Sequence, residues 1–160
     1  MKTNQTLSIK RGAEIELEIE SLAYGGMGLA RKNDFVIFVK NAIPKQKVLA
    51  RIYKKRKGYA EASVQKILEQ SPYIEEPRCN HYYICSKLQN LLYEEQLKEK
   101  ENQVVDTFKR LGSFSDFILT DTVGAPDIFN YRNKMEFTFS PNRWVLETEP
   151  ENVDKSFALG

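Results

Sequence analysis

Four consecutive cationic side chains lie between two tyrosines and are the clearest candidates for chemistry in this sequence. Cations in a hairpin loop can follow a phosphate backbone, and tyrosine rings offer faces on which bases stack. The alternative is a solvated hairpin whose lysines only keep a strand edge from aggregating. We favour a nucleic-acid contact, because further cations occur in the same short part of the chain. The residues predicted to make it are Arg31, Tyr53, Lys54, Lys55, Arg56, Lys57 and Tyr59.

Positive charge is concentrated in the first part of the chain. Residues 1–67 carry 14 Lys and Arg against 6 Asp and Glu, a net charge of +8. Residues 68–160 carry 10 against 16, a net charge of −6, so the whole chain has only +2. A strong positive field on a small piece of chain favours phosphate backbones, because neutralised phosphates release condensed counterions.

Three glycines within residues 24–31 form a second unusual pattern. Such a segment could cradle a phosphate, but no helical pattern follows it and the Lys-Ser/Thr pair of a nucleotide loop is missing. We therefore interpret the glycines as a sharp bend between strands of a barrel.

No complete catalytic constellation is visible, so no catalytic residue is predicted. The single histidine, His81, stands beside two tyrosines, where we expect a structural or solvent-facing role. The only cysteines, Cys79 and Cys85, cannot form a disulfide framework, which fits a reducing compartment. No window approaches the roughly 18 apolar residues of a membrane span, and no secretory signal opens the chain. The sequence predicts a cytoplasmic protein without a membrane partner.

Short strands are predicted throughout the first part. In residues 14–20 apolar side chains fall at every second position, which places Ile15, Leu17 and Ile19 on one face. Segments 35–39, 48–53 and 59–67 complete about five strands, and at this length only a small closed barrel buries both its edges and a core. We assign residues 1–68 to this barrel.

The second part is predicted to be an incomplete α+β segment at residues 79–160, after a linker at 69–78 that contains two prolines. Residues 88–111 have the helical period and end before Gly112. Antiparallel strands are predicted at 117–120 and 131–140, with 143–148 as a partner. Arg132 and Lys134 lie on the polar face of the second strand and are further candidates for nucleic-acid contact.

Three motifs that follow one another along the chain resemble, in the same order, the N-terminal part of the bacterial 23S ribosomal RNA uracil-C5-methyltransferases. Residues 24–31 and the later Ile43-Pro44 turn resemble a TRAM domain, a small OB-like RNA-binding barrel. Residues 77–85 and 93–97 resemble the cysteine motif of the family and the helix that follows it. Residues 131–137 resemble a strand of its central domain.

The resemblance implies a family that uses S-adenosylmethionine and a cysteine thiolate that attacks C6 of uracil before C5 is methylated. The catalytic cysteine, the glutamate base and the cofactor-binding sheet belong to a C-terminal domain that these 160 residues do not contain. We therefore expect this chain alone to be inactive. The resemblance also implies that the helix packs on that domain, so that its apolar stripe is partly exposed here.

In many members of that family cysteines in this region hold a [4Fe–4S] cluster, whose ligands are thiolates. Cys79 and Cys85 keep the five-residue spacing of the motif, but either Ser86-Lys87-Leu88 replaces the Gly-Gly-Cys that follows, or two residues are missing and Ser86 stands in place of the third cysteine. We interpret Cys79 and Cys85 as the remnant of that metal motif and do not expect a cluster in this chain.

Three functions are compatible with these patterns. The first is the RNA-binding portion of such a methyltransferase, which recognises and positions RNA, with 23S ribosomal RNA as the partner. The main alternative is a stand-alone RNA-binding or ribosome-associated TRAM module without enzymatic activity, and a third is a TRAM-bearing tRNA-modifying enzyme, which would need a radical domain not seen in this sequence. Which uridine is modified depends on RNA shape and is not readable from these residues.

Overall fold

The computed structural model describes residues 9–80, 82, 86–134, 136, 139–143, 145, 150 and 152–156. The described residues form six strands, β1 (Glu14–Glu18), β2 (Ser21–Ala23), β3 (Met27–Lys32), β4 (Phe35–Lys40), β5 (Lys47–Lys55) and β6 (Tyr59–Glu69). A helix of 18 residues, α1 (Tyr93–Arg110), follows them. Contacts divide the chain into two compact units, Met1–Val123 and Gly124–Gly160. The division predicted at residues 68 and 78 stays a prediction.

The six strands form one curled sheet in the order β1-β5-β6-β4-β3-β2. Neighbouring strands are antiparallel, except β4 and β6, which run parallel. Further contacts between β1 and β3 curl the sheet on itself. The predicted class, a small barrel followed by an α+β segment, is confirmed in its curled sheet and in the helix that follows, with six strands in the barrel rather than five. The additional strand is β2, whose three residues are too short to show an alternating pattern.

The barrel core lies inside this curl. Ile15, Leu17 and Ile19 are buried as their alternation predicts, and they pack against residues of β4, β5 and β6. Gly28 is required for this packing, because a Cβ there would lie 2.9 Å from Ile19 Cγ2 and 3.0 Å from the Ala42 carbonyl oxygen.

The β2–β3 turn, residues 24–26, is the predicted bend. Gly25 and Gly26 have φ values of +90° and +81°, which side chains other than glycine rarely adopt. The Gly26 N–H donates to the Ala23 carbonyl oxygen at 3.0 Å. Because this amide closes the turn, it is not available as a phosphate donor, which agrees with the structural interpretation of the glycines.

α1 is shorter than predicted and begins at Tyr93 instead of residue 88. The preceding residues form turns, and Leu91 makes an isolated β-bridge with Ile74. Glu94 and Glu95 in the first turn, and basic residues in the last, complement the helix dipole. At the C-terminus, the N–H groups of residues 111 and 112 both donate to the carbonyl oxygen of Thr107.

Polar side chains of α1 hold it against β2. The Leu22 N–H donates to a Glu99 carboxylate oxygen at 2.7 Å, and Gln103 Nε2 donates to the Leu22 carbonyl oxygen at 3.2 Å. Beside these bonds, Leu22 belongs to a second small cluster of buried apolar side chains. The predicted exposure of the apolar stripe is confirmed, since Val104 and Phe108 remain 49% and 44% exposed.

The described residues after α1 contain no strand. The strand predicted at 117–120 is wrong: the segment has no partner to complete a ladder, and the Phe117 ring instead lies 5.3 Å from that of Phe108. The described members of 131–140 and 143–148 are irregular as well, while 135, 137, 138, 144 and 146–148 lie outside the described residues. Among the helices that the structure describes, none combines the length and the apolar character needed to cross a membrane.

Candidate nucleic-acid interface

The predicted basic hairpin is the connection between β5 and β6. Its tip is Arg56-Lys57-Gly58, and the Arg56 N–H donates to the Tyr59 carbonyl oxygen at 2.8 Å. Both cationic side chains of the tip are exposed. The tip therefore projects two positive charges from the end of the two longest strands.

The pairing register of strands β3 to β6 places other predicted residues on the convex side of the same sheet. Side chains that alternate with buried ones point away from the core. Arg31 is opposite Val36, which is opposite Tyr59 in the next strand. In the adjacent row Phe38 is opposite Glu61, which is opposite Lys54. We call this surface the outer face, and its members used below are Arg31, Phe38, Lys40, Tyr53, Lys54, Tyr59 and Glu61.

Aromatic rings form the centre of the outer face. Phe38 and Tyr59 pack edge to face, with centroids 5.7 Å apart and planes at 71°. Tyr53 lies at a register shift between Ile52 and Lys54, and Lys40 Nζ is 4.8 Å from its ring centroid. One face of Tyr53 is thus covered by a cation.

Charges on the outer face are partly paired. Lys54 Nζ lies 2.5 Å from Glu61 Oε1, and Arg31 forms an ion pair with Glu20. The hydrogen bond from Lys54 holds the pKa of Glu61 below its ordinary value. Burial, with the neighbouring Glu61 carboxylate, raises the pKa of Tyr53 to about 12. Glu61 is therefore charged and Tyr53 neutral at physiological pH.

The remaining candidates lie elsewhere. Lys55 pairs with Ala60 and directs Nζ to within 5.9 Å of the Phe35 ring centroid, so it lies at the rim of the barrel. Arg132 and Lys134 are exposed in the second unit, where Lys134 Nζ is 3.1 Å from Glu136. The structure thus unites Arg31, Tyr53, Lys54 and Tyr59 on one surface next to the hairpin tip.

Three members of the outer face, Phe38, Lys40 and Glu61, were not predicted as site residues. Phe38 and Lys40 belong to a segment that reads as a continuous apolar run with a cation at its end. Only the parallel pairing of β4 with β6 places them beside the tyrosines. Alternation within β4 was the available signal, since Ile37 and Val39 are the buried residues.

The predicted metal motif is described only in part. Cys79 is exposed, and its N–H donates to Gln89 Oε1 at 3.3 Å, while Cys85 and His81 lie outside the described residues. Across the residues that are described, no group of three or more His, Cys, Asp or Glu could hold a metal ion. The assignment of Cys79 and Cys85 stays a prediction.

Comparison with known proteins gives three kinds of match. Residues 9–65 match the TRAM domain family. Proteins named "uncharacterized RNA methyltransferase" from Porphyromonas gingivalis and Clostridium tetani are both 37% identical, over 89% and 83% of this chain. The chain spans only 31% and 29% of the length of these two relatives. A conserved protein of Methanococcus maripaludis, solved in solution, is 32% identical over 36% of this chain and 81% of its own, with a TM-score of 0.35.

The TRAM match covers all six strands except the last residues of β6, and it includes every member of the outer face. Residues 9–65 are therefore a TRAM domain, in a chain that is similar over more than 80% of its length to proteins named RNA methyltransferases.

Proposed function

We propose that this chain is the RNA-binding portion of an S-adenosylmethionine-dependent methyltransferase that modifies C5 of a uridine in 23S ribosomal RNA. The coincidence of the TRAM match with the cationic and aromatic outer face carries the proposal. The names of the relatives support an RNA methyltransferase. The choice of uracil C5 and of 23S ribosomal RNA rests on the resemblance of residues 77–85 and 131–137 to that family.

The outer face would hold RNA by stacking and by exchange of ion pairs. Phe38 and Tyr59 offer rings to bases, and Arg56 and Lys57 at the tip follow the backbone. Arg31 and Lys54 would exchange their glutamate partners for phosphates. A surface ion pair is worth only about 0–1 kcal/mol, so this exchange costs little.

The part of this chain in the reaction is to recognise and position RNA. No residue described here is assigned to the methyl donor or to the reacting uracil. The cofactor would supply the methyl group, and the family resemblance supports a cofactor site outside these residues, in longer proteins such as those of which this chain matches about 30%. We place the activity in the cytoplasm, where ribosomal RNA is made and where cysteines stay reduced.

Binding of a fluorescently labelled 23S ribosomal RNA fragment, measured by anisotropy, tests the proposal. We expect affinity to fall steeply between about 50 and 200 mM salt. Replacing both Arg56 and Lys57 by alanine should weaken binding and reduce the salt slope by about 1 to 2, because two phosphate contacts are lost.

The matched control replaces Lys109 and Arg110, an equal pair of exposed cations at the end of α1, and should leave the slope unchanged. If both double variants lose the same affinity for RNA, the hairpin is only a solvated strand edge and makes no specific contact with RNA. Absence of binding at about 50 mM salt, roughly a third of physiological ionic strength, would overturn RNA recognition itself. Methylation of RNA by this chain with added S-adenosylmethionine would contradict the proposal that the chain only recognises and positions RNA.

A further inference from the structure

A cleft of about 350 Å³ lies between the β2–β3 turn, the segment before α1 and one side of α1. Ligand sites typically enclose about 300–1,000 Å³, so this volume suits one small group. The lining residues used below are Tyr24, Gly26, Lys87, Leu88, Glu99 and Lys100. All of them belong to the first compact unit.

Direct contacts fix the walls of the cleft to one another. Lys87 Nζ donates to the Gly25 carbonyl oxygen at 3.2 Å. A Cβ on Gly26 would lie 3.3 Å from Lys87 Cβ and 3.7 Å from Leu88 Cδ2. On the opposite side Glu99 accepts the Leu22 N–H at 2.7 Å. The turn is thus held between the segment before α1 and the helix.

Tyr24 is the unusual feature of this site. Its side chain is 95% exposed, although it belongs to a turn that hydrogen bonds close tightly. A tyrosine without packing partners contributes nothing to the core, whereas a ring held on a closed turn is a ready surface for stacking. The chain keeps this ring at the mouth of a cleft instead of burying it.

The charges around Tyr24 favour an anion. Lys87 and Lys100 contribute two positive charges to the lining. Glu99 is the acidic member, but it is directed at the Leu22 amide, and burial raises its pKa above the ordinary value. An ammonium group has three donors, so Lys87 can serve both Gly25 and a phosphate.

Lys40 of the outer face lies at the same end of the sheet as the β2–β3 turn. Gly28 is opposite Val39, so the register carries Lys40 to the end of β3 from which the β2–β3 turn projects. Lys40 is also the cation above the Tyr53 ring. A strand of RNA that binds the outer face and continues to the β2–β3 turn would therefore pass Lys40.

We propose that the cleft binds one nucleotide of a single RNA strand, with the base stacked on Tyr24 and its phosphate held by Lys87 and Lys100. This site rests on the RNA binding proposed above and extends it beyond the outer face. A single strand fits better than a duplex, because only unpaired bases can turn out to stack on a protein ring.

Affinity for a labelled single-stranded RNA of about 12 nucleotides, a length within the range that one OB-like domain binds, tests the site. Tyr24→Ala should weaken binding about fivefold or more, whereas Tyr24→Phe, which keeps the ring, should bind within about twofold of the original chain. Lys100→Ala should weaken binding too, and Lys109→Ala, the same change on the same helix away from the cleft, should not. Because Tyr24 is exposed, circular dichroism should show both Tyr24 variants folded.

Tyr59→Ala serves as the separate test of the outer face. If Tyr59→Ala weakens binding and Tyr24→Ala does not, the cleft proposal is wrong while the proposed function stands. If the unchanged chain binds no RNA, both fail. Equal weakening by Tyr24→Ala and Tyr24→Phe would also overturn the site, because the ring would then not be the binding group. Cross-linking of RNA containing 4-thiouridine should label the peptide with residues 24–26, and labels confined to β4–β6 would contradict it.

Discussion

The barrel buries its apolar side chains, whereas the segment after α1 leaves several of its own exposed. Ile37 and Val39 of β4 have no exposed surface, while Ile118 and Val123 are 94% and 92% exposed. Both regions contain β-branched and aromatic residues that are typical of strands. The difference is the presence of partners, since every barrel strand pairs along its length and the described residues after α1 form no ladder. Strand propensity determines which side chains share a face, but that face is buried only where the segment pairs with neighbouring strands.

The largest effect should come from truncating matched isoleucines in the two regions. Ile37→Ala should lower the free energy of unfolding by about 2–5 kcal/mol, because it leaves a cavity in the barrel core. Ile118→Ala should change it by less than about 0.5 kcal/mol, since the side chain is in solvent. Urea denaturation of both variants measures the contrast. If Ile37→Ala prevents folding, Ile37→Val, with an expected loss of about 0.5–1.5 kcal/mol, replaces it. Equal losses at positions 37 and 118 would contradict the conclusion that strand pairing is what buries the apolar side chains.

A glycine pair tests whether close approach, and not glycine content, shapes the barrel. Gly28→Ala should cost about 1–3 kcal/mol, because the new Cβ meets Ile19 and the Ala42 backbone. Gly58→Ala, at the hairpin tip where nothing lies within 4 Å, should be nearly neutral. Thermal unfolding of the two variants is the measurement. A neutral Gly28→Ala would mean that the curl of the sheet is looser than these distances require.

The smallest expected effect concerns the attachment of α1 to the barrel. Burial raises the pKa of Glu99 above its ordinary value of 4.5, so the folded protein binds the Glu99 proton more tightly than the unfolded chain. Stability contributed by this group is therefore present below pH 4.5 and is lost as the pH rises through the folded value. Glu99→Gln keeps an acceptor for the Leu22 N–H and removes the titration.

The measurement is the melting temperature of both proteins between about pH 4 and pH 7, a range that brackets carboxyl titration. Over this range the difference between the Glu99→Gln variant and the original chain should grow in favour of the variant. Carboxylates that do not interact with Glu99 are common to both proteins and cancel in the difference, whereas the charge of the neighbouring Glu95 helps to raise the pKa of Glu99 and is part of the same effect. A difference that does not change with pH would show that the titration of Glu99 does not affect the docking of α1 on the barrel.

Much of the barrel could be predicted because its signals are local. Alternation placed Ile15 and Leu17 inside, and the positions of strands β4, β5 and β6 follow from short apolar runs between turn residues. The parallel pairing of β4 with β6 joins segments about two strands apart in sequence, and no local pattern encodes that register. Tyr53 and Tyr59 were predicted as candidates because they flank the cations in the sequence. Phe38 was not predicted, because only the pairing of β4 with β6 places it beside Tyr59.

The start of α1 shows that a local sequence pattern can also predict the wrong boundary. The helical period extends back to Leu88, but Leu91 is taken into a bridge with Ile74 and into the small cluster beneath β2. Tertiary packing thus overrides a continuing periodicity. The polar bonds from Glu99 and Gln103 to Leu22 had no sequence signal, because they depend on which strand the helix meets.

Those two bonds to Leu22 have a consequence for association. β2 is the last strand of the sheet, and an outer strand normally presents its N–H and C=O groups as a template for a strand of another chain. Here side chains of α1 occupy both backbone groups of the central residue of β2. The helix thereby closes this end of the sheet to β-augmentation, a protection that does not require the barrel to close by hydrogen bonds.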